Sequence, residues 1–591
     1  MTRFLNSFQP DPRLKSRRYG AVPRRHWLAA GWVMAVVVLL AMAGCATIPT
    51  HGPVGKSDPL TPRNNSVYID FEQFAPGDGA SQESIVRGFI ESGTGITDDF
   101  QVARQYLAPK LAQSWAPDKS TLVYKDTFSV SPGAEKDTFV LTFDVVSTVD
   151  ATGVLTPAKE GATESLNMKL VQVDGQWRIS EAPDGVGLTQ ANFETLFSPL
   201  ALYFYDPTFT YGVPDIRWLV SRSSRTTTTI VKAMLSGPAP YLRGAVVSAF
   251  PNGISLERDS VPVNNGLAKV GLSAKALLDT SVKQRQQMHE QLLVTLQKSL
   301  NTVTEVQFLA DDRQVDMGGA TDDLSAMVID SSVSTTQVAL AKNELVTFNG
   351  TKAAPIPGMV SVAALAPATP AISYSGKEFA FKSSAGNQIY SVVPGQQPVV
   401  AVAGVALTPP SFAPNGWLWS AAGDGSGDVI AINPNDDGKM GPPVLLRVPW
   451  LVGQEVSTLR ISRDGTRALV ISQSNGVSRV SITGIFKSGD VPKELTPPLN
   501  LPHTGTPSLG VWTGESSVAV MAPSAADPVT IEILDLARGP QKLDELVGLE
   551  WLTAGSGLRN IHAQSAAGYF ANVSSSWDLI AKDLRQASFA G

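Results

Sequence analysis

The segment Ser462-Arg463-Asp464-Gly465-Thr466-Arg467-Ala468-Leu469 decides the fold of the C-terminal part of this sequence. It places an Asp-Gly turn directly before an apolar strand. Related segments occur at four other places, namely Tyr374–Phe381, Ala413–Trp419, Trp512–Val518 and, more weakly, Ala567–Phe570. Their successive glycines are 40, 49, 49 and 54 residues apart. A period of this size, with one glycine turn before each apolar strand, is typical of four-stranded propeller blades.

Residues 325–591 are therefore predicted to form an all-β propeller. The helical period of apolar residues disappears beyond Ser325, and short strands return at regular spacing. Asn343 to Gly350 is expected to supply a further, incomplete blade, which predicts six blades, with five as the alternative. Most tryptophans of this region should lie in the core between blades, with one or two on a blade face as the alternative. They are Trp417, Trp419, Trp512, Trp551 and Trp577.

Two α+β domains are predicted to precede the propeller, at residues 79–195 and 200–315. In the first, apolar residues at helical spacing are followed by alternating strands, and Asp174-Gly175 is the expected hairpin turn. In the second, a helix from Thr228 to Leu235 should end at Gly237-Pro238, and Ser281 to Leu300 has the pattern of an amphipathic helix. The predicted fold class is thus multidomain, with two α+β domains followed by a propeller.

The composition limits the kind of partner. The 591 residues are 43% hydrophobic and 17% charged, which favours folded domains over disorder. Seven basic residues and one acidic residue precede Trp27, so the rest of the chain carries 40 basic and 52 acidic residues, a net charge of −12. No basic surface is expected there for nucleic acid.

The N-terminus has the pattern of an exported lipoprotein. A basic segment precedes the apolar run Trp27–Ala43. Met42-Ala43-Gly44-Cys45 resembles the bacterial lipobox, in which the cysteine thiol receives a diacylglyceryl group and the preceding segment is removed. Seventeen helical residues rise about 26 Å, short of a hydrocarbon core of about 30 Å, so a permanent span is the weaker alternative.

We therefore expect a signal peptide at residues 1–44, and a lipidated Cys45 with a proline-rich tether at 45–78. Diacylglyceryl and N-acyl (palmitate) groups on Cys45 would hold the protein on the extracytoplasmic face of the cell membrane. Arg17-Arg18 and Arg24-Arg25 leave twin-arginine export open beside the general secretory route.

The sequence offers few residues for catalysis. His289-Glu290 begins like a zinc-protease helix, but Leu293 stands where the second histidine should be. The sequence has no G-x-S-x-G motif, and Cys45, its one cysteine, would be acylated. Asn433 to Gly438 imitates half of a calcium loop, although a plain turn is the favoured interpretation. No catalytic residue, cofactor-binding residue or metal ligand is predicted.

The order of these features resembles the actinobacterial LpqB lipoprotein family. It comprises the lipobox, an α+β domain, the segment Ile230–Pro238 and a propeller. The second domain is similar to the GerMN domain in four places, namely Leu235–Pro238, Phe250-Pro251, Gly266–Ser273 and the helix carrying Gln291-Leu292-Leu293. The resemblance implies a cell-surface lipoprotein that contacts the extracytoplasmic part of the sensor kinase MtrB, of the MtrA and MtrB two-component system. The one residue role that the resemblance implies for this sequence is the lipidation of Cys45.

Two functional hypotheses follow. The first is a non-catalytic, membrane-anchored protein that binds and modulates a sensor kinase of the MtrB kind. The second is an extracytoplasmic protein that binds or hydrolyses cell-wall glycan, because propellers host hydrolases and two carboxylates would suffice. Paired carboxylates within about 5 to 10 Å in the propeller mouth would favour the enzyme.

Overall fold

A computed structural model describes residues 73–591 except 97–98, 160, 222–224, 319–324, 434–439, 523–528 and 575. The described residues belong to one unit of the chain, Val67–Gly591. The predicted signal peptide, Cys45 and most of the tether lie outside the described residues.

The N-terminal domain packs short helices against a twisted sheet. Its helices are α1 (Gln82–Glu91), α2 (Gln101–Gln105), α3 (Pro109–Ser114) and α4 (Gln190–Leu196). Its strands are β1 (Ser120–Pro132), β2 (Thr138–Asp150), β3 (Leu155–Pro157), β4 (Thr163–Val173), β5 (Gln176–Glu181) and β6 (Val186–Thr189). The sheet order is β5-β4-β2-β1-β6, with β3 paired to β2 and with β6 parallel to β1.

Local sequence explains two boundaries of this domain. Ser81 caps α1, because its hydroxyl accepts a hydrogen bond from the amide of Ser84 at 3.2 Å. Asp174 and Gly175 both have positive φ, 52° and 76°, and they join β4 to β5. Such a pair is what a tight hairpin turn requires, as the sequence predicted.

The middle domain combines a long hairpin, a small sheet and one long helix. Its strands are β7 (Phe197–Tyr205), β8 (Gly212–Val220), β9 (Val263–Asn264), β10 (Leu267–Gly271), β11 (Glu305–Ala310) and β12 (Arg313–Gln314). Its helices are α5 (Thr226–Leu235), α6 (Ala274–Leu278) and α7 (Val282–Ser299). Strands β7 and β8 pair with each other, and the second sheet has the order β12-β11-β10-β9 with β10 parallel to β11.

A buried glutamine joins these parts of the middle domain. Gln291 on α7 accepts a hydrogen bond from the amide of Ala249 at 2.8 Å and donates to the carbonyl of Tyr203 on β7 at 2.9 Å. Two other apolar segments of this domain are not among the strands named above. Phe209 lies in the turn after β7 with φ of 58°, and Val246–Phe250 contributes two isolated bridges, from Val247 to Tyr205 and from Val246 to Arg243.

The propeller region forms six sheets, which we call blades 1 to 6. Blade 1 contains β13 (Gln337–Ala341), β14 (Glu344–Phe348), β15 (Ala353–Pro355) and β37 (Arg585–Ser588). Blade 2 contains β16 (Pro367–Ile372), β17 (Phe379–Ser383), β18 (Gln388–Val392) and β19 (Val399–Ala403). Blade 3 contains β20 (Ser411–Phe412), β21 (Leu418–Ala421), β22 (Asp428–Ile432) and β23 (Val444–Arg447).

The remaining blades complete the series. Blade 4 contains β24 (Glu455–Ile461), β25 (Arg467–Ser474), β26 (Val477–Ser488), β27 (Val491–Leu495) and β28 (Leu499–Leu501). Blade 5 contains β29 (Leu509–Trp512), β30 (Ser517–Ala522), β31 (Thr530–Asp535) and β32 (Arg538–Lys542). Blade 6 contains β33 (Leu549–Ala554), β34 (Ile561–Ser565), β35 (Gly568–Val573) and β36 (Ser576–Ala581).

The innermost strands close into a ring. Contacts run in cyclic order through β37, β16, β20, β24, β29 and β33, and return to β37. Because β37 pairs with β13, the last strand of the chain completes the first blade. The expected fold class, two α+β domains before a propeller, is confirmed.

The repeated glycine turns connect the first and second strands of blades 2 to 5. Gly376, Gly416 and Gly465 have φ of 73°, 87° and 70°, a conformation that favours glycine. The assignment of Gly568 to the same series is wrong, because this residue follows the turn between β34 and β35. In blade 6 the corresponding turn contains Gly557, with φ of 78°.

Candidate functional site

The turn of blade 4 is held by its own side chains. The Asp464 carboxylate accepts hydrogen bonds from the amide of Thr466 at 2.8 Å and from the hydroxyl of Ser462 at 2.7 Å. The Ser462 hydroxyl accepts in turn from the amide of Arg467 at 3.0 Å. These bonds fix the side chains that the turn presents.

Asp464 and Arg467 form a buried ion pair. Arg467 is fully buried, its Nη2 lies 2.5 Å from Oδ2 of Asp464, and its guanidinium stands 5.1 Å from the ring centre of Trp512. Burial alone would raise the pKa of Asp464. The charge of Arg467 and the hydrogen bonds to the carboxylate outweigh burial and lower that pKa.

The middle domain contacts the propeller beside this pair. Tyr203 on β7 donates a hydrogen bond to the carboxylate of Glu515, in the turn of blade 5, and the same carboxylate accepts from the amide of Asp330 at 3.1 Å. The Thr496 hydroxyl donates to the carbonyl of Tyr241. We call this contact the junction. It joins the middle domain to the turn after the inner strand β29 of blade 5 and to the outer strands β26 and β27 of blade 4.

Gly484 shows how closely the two domains approach. A Cβ atom at this position would lie 2.7 Å from both the Cβ of Ala245 and the carbonyl oxygen of Tyr241. Glycine is therefore required by the packing of the middle domain on β26, and not by its backbone conformation.

Two further buried arginines lie at the junction end of the propeller channel. Arg460 is on the inner strand β24, and its Nη1 donates to the carbonyl of Pro410 at 2.7 Å. Arg463 follows β24, and its Nη2 donates to the carbonyls of Trp512 at 3.2 Å and Gly555 at 2.7 Å. Sequence analysis did not single out either residue. A charged residue between Leu459 and Ile461, inside an apolar strand, was the available signal.

A cavity of about 380 Å³, which we call the mouth, lies where the inner strands β37, β16 and β33 of blades 1, 2 and 6 begin. Its lining is mainly polar and includes Asn343, Ser384, Glu550, Trp551, Gln564, Arg585 and Gln586. Hydrogen bonds fix several of these groups: Arg585 donates to Asn343 at 2.6 Å, and the amide of Gln586 donates to Gln564 at 2.5 Å. Glu550 is the one carboxylate among the described residues of this lining, so a carboxylate pair does not occur there.

The histidines that the structure describes make structural contacts. His289 Nε2 lies 3.1 Å from the carbonyl of Val306, and His503 Nε2 lies 3.2 Å from that of Ser478. His562 is buried, with Nδ1 3.2 Å from both Gln337 and the Tyr569 hydroxyl. Burial lowers the pKa of His562 to about 4. His562 is thus neutral near pH 7.

The structure covers only some of the segments considered for a metal site or a membrane span. Within the described ranges, no group of three or more His, Cys, Asp or Glu residues could hold a metal ion. The calcium-like segment falls largely on 434–439, outside the described residues. No helix in the part of the chain covered by the structure is both long and apolar enough to cross a bilayer.

The tryptophan prediction is confirmed. Trp417, Trp419, Trp512 and Trp551 are buried in apolar clusters. Trp577 is half-buried, and its Nε1 donates to the carbonyl of Asp544 at 2.8 Å.

The fold and these sites define a class of protein: two α+β domains packed with a propeller that has a polar mouth and a buried junction. Comparison with known domain families agrees in the same order. Residues 75–194 match the lipoprotein LpqB N-terminal domain, residues 201–316 match the Germane family of sporulation and spore germination, and residues 343–587 match the lipoprotein LpqB beta-propeller domain. The chain therefore belongs to the LpqB lipoprotein family.

Individual relatives named lipoprotein LpqB align with this chain over most of their length. The chain is 27% identical to lipoprotein LpqB of Rhodococcus opacus, covering 87% of each chain. It is 28% identical to lipoprotein LpqB of Streptomyces coelicolor, covering 84% of this chain and 86% of the relative. A solved nidogen/laminin complex aligns at 11% identity with a TM-score of 0.33, over 43% of this chain and 98% of that chain. This last similarity is too low to support a conclusion.

Proposed function

We propose that this protein is a lipid-anchored, extracytoplasmic binding protein that engages and modulates a sensor kinase of the MtrB kind. Cys45 would carry diacylglyceryl and N-acyl groups, and the proline-rich tether would separate the folded domains from the membrane. Membership of a family named lipoprotein supports the anchor, as does the lipobox-like Met42-Ala43-Gly44-Cys45. The sensor kinase is proposed as the partner because of the family resemblance.

The junction is the observation that carries a binding and scaffolding role. The bonds from Tyr203 to Glu515 and from Thr496 to Tyr241, with the close approach at Gly484, bury polar and apolar groups between two domains. Loosely connected domains bury little surface between them and move relative to one another. The junction instead fixes the middle domain on the propeller. A tethered body of this kind presents several surfaces in one fixed arrangement to the exposed domain of another membrane protein.

Capture of a cell-wall glycan at the mouth is the second candidate. Amide and guanidinium groups at Asn343, Gln564 and Arg585 could hydrogen-bond to sugar hydroxyls. Glycan hydrolysis by two carboxylates has no support from the described lining, which contains Glu550 alone. The mouth therefore favours binding over cleavage.

Photo-crosslinking in intact cells tests the first proposal. A photoreactive residue would replace, one at a time, exposed side chains on the propeller and the middle domain, such as Val405, Val547 and Val282. We expect the extracytoplasmic domain of a sensor kinase to be captured from a contiguous subset of positions. Capture of no protein from any position, with the chain lipidated and present at normal abundance, would refute the proposal.

A matched variant separates anchoring from binding. Cys45→Ser should move the protein from the membrane fraction to the soluble fraction and abolish the crosslinks. Glu550→Gln and Arg585→Gln should leave the kinase crosslinks unchanged. If the second candidate is correct, Arg585→Gln instead weakens retention on purified peptidoglycan.

A further inference from the structure

A cavity of about 280 Å³ lies where the three domains meet. The N-terminal domain contributes Leu155 and Phe193 to its lining, the middle domain contributes Trp218, and the propeller contributes Leu499 and Leu536. We call it the three-domain cavity. Strands β3 and β28, which both contribute lining residues, contact each other. The cavity is therefore formed by the assembly of the domains and not by any one of them.

The lining offers apolar surface that is open to a ligand. Leu155, Trp218, Leu499 and Leu536 are only partly buried, and each packs against a buried apolar cluster that holds it in place. The rings of Phe193 and Trp218 lie 5.3 Å apart and form one aromatic wall from two domains. Concave, largely apolar sites between domains are typical of small-molecule binding.

Charges of both signs face this cavity. Arg538 is the one basic residue among the described residues of its lining, and Glu194 and Asp535 supply the carboxylates. The Glu194 carboxylate accepts a hydrogen bond from Gln190 at 2.8 Å, and that of Asp535 accepts one from the amide of Ala537 at 2.7 Å. An ionic head group of either sign would therefore meet a like charge. The polar groups suit an uncharged group that both donates and accepts hydrogen bonds, such as a hydroxyl.

The volume sets the size of the apolar part of a ligand. An apolar protein cavity of about 150 Å³ holds one benzene ring, so the three-domain cavity admits roughly ten carbon atoms. A sugar or a nucleotide would leave many of its polar groups unpaired against walls such as Trp218 and Leu499, which is unfavourable. An aliphatic chain has no polar group to lose.

We propose that the three-domain cavity binds an aliphatic chain of about ten carbon atoms that ends in an uncharged, hydroxyl-bearing head group, as in a monoacylglycerol. The chain packs against Trp218, Leu499 and Leu536, and the hydroxyl groups bond to the polar residues of the lining, which include Asn500 and Arg538. Because all three domains contribute to the lining, the ligand stabilises their arrangement. This site is separate from the mouth and from the proposed kinase-binding role, and it depends on neither.

Photolabelling of the purified protein tests where the ligand binds. The probe is a monodecanoylglycerol with a diazirine near the end of its chain. After irradiation, mass spectrometry should find the label on segments 154–158, 216–218 and 499–502, and an excess of unlabelled monodecanoylglycerol should remove it. A label confined to other segments, or one that the unlabelled lipid does not displace, would overturn the proposal.

Calorimetric titration tests the chemical class of the ligand. The Kd of monoacylglycerols should fall about fourfold for each methylene added to the chain, and this gain should level off near ten carbon atoms. Decanoate and decyltrimethylammonium have a similar chain with a charged head group, and both should bind more weakly than monodecanoylglycerol. If either ion binds as tightly, or if Kd does not depend on chain length, the proposed class is wrong.

Substitutions in the lining separate this site from other apolar surface. Ala158→Trp should fill the cavity and abolish binding of monodecanoylglycerol, whereas Ala354→Trp, on the exposed strand β15, should bind as the wild type does. Leu499→Asn removes apolar surface without filling the space, and it should weaken binding even if Ala158→Trp does not fold. Wild-type affinity in Leu499→Asn, or in a folded Ala158→Trp, would contradict the proposed site.

Discussion

The phenol of Tyr203 donates a hydrogen bond of 2.5 Å to the carboxylate of Glu515, across 312 residues of sequence. The first strand of the middle domain is thereby bonded to the turn of blade 5. Burial raises the pKa of Tyr203, and the charge of Glu515 raises it further, so the phenol remains a donor at all ordinary pH values. The junction is therefore a polar contact as well as an apolar one.

Removal of the Tyr203 hydroxyl should weaken the junction. In Tyr203→Phe the Glu515 carboxylate loses a charge-assisted hydrogen bond, which costs about 1.5 to 3 kcal/mol. We expect the free energy of unfolding, measured by chemical denaturation, to fall by this amount. Tyr390→Phe is the control, because Tyr390 bonds within its own blade to Gln388. A Tyr203→Phe variant as stable as the wild type would show that the bond contributes nothing.

Loss of the buried cation at the blade 4 turn should be more damaging. Arg467→Met leaves the Asp464 carboxylate buried without its partner, and breaking such a pair costs about 3 to 5 kcal/mol. The exposed Arg447, which pairs with the partly buried Asp428, is the comparison, and Arg447→Gln should cost at most about 1 kcal/mol. Differential scanning calorimetry of the two variants measures the difference. Equal melting temperatures would contradict the structural role of the pair.

The same ion pair predicts a loss of stability in acid. The folded pKa of Asp464 lies below its ordinary value of 3.8, so the unfolded chain binds the proton more readily. The stabilisation is complete above pH 3.8 and is lost as the pH falls below that value. In Asp464→Asn this part of the acid dependence should disappear, as measured by unfolding at a series of pH values. An unchanged slope below pH 3.8 would argue against the pair.

His562 should give a separate pH dependence at higher pH. Its folded pKa of about 4 lies below the ordinary 6.5, so between these values the unfolded state binds more protons and stability falls as the pH decreases. The loss amounts to roughly 3 kcal/mol over this range. Urea unfolding of His562→Gln should lack it, whereas His503→Gln should behave as the wild type does. If both variants retain the slope, another group is responsible.

A methyl group at position 484 should separate the two domains. Gly484→Ala would place a carbon 2.7 Å from the Tyr241 carbonyl, and overpacking of this kind costs about 1 to 3 kcal/mol. Gly539→Ala is the matched control, since no atom lies within 4 Å of a Cβ atom there. Limited proteolysis should cleave Gly484→Ala faster than the wild type or the control between the middle domain and the propeller. Equal cleavage rates would show that the junction tolerates the extra carbon.

Local chemistry made much of this fold predictable. Asp174-Gly175 specifies its turn through backbone preference, and the apolar face of Val282–Ser299 specifies a helix. Strand β1 has a weaker sequence signal, because its pairing with β2 shifts register around Tyr124 and this shift disturbs the alternation of polar and apolar residues. The glycine spacing assigned Gly568 to the wrong turn, because several turns of one blade can contain a glycine.

The candidate sites were less predictable for a different reason. Tyr203 and Glu515, like Arg463 and Gly555, come together through packing of segments far apart in the chain. A single sequence does not reveal which buried charges find a partner. The polar mouth likewise depends on β16, β33 and β37 beginning at the same end of the ring.

The pairing of β37 with β13 also bears on how the protein matures. Strand β13, near residue 340, pairs with β37, near residue 588, so the first blade is incomplete and the ring cannot close until both segments have been synthesised. Until then, β13 presents an unpaired edge that another chain could occupy. Synthesis and folding of the propeller are therefore linked, and a chain that lacks β37 would be a substrate for quality-control proteases.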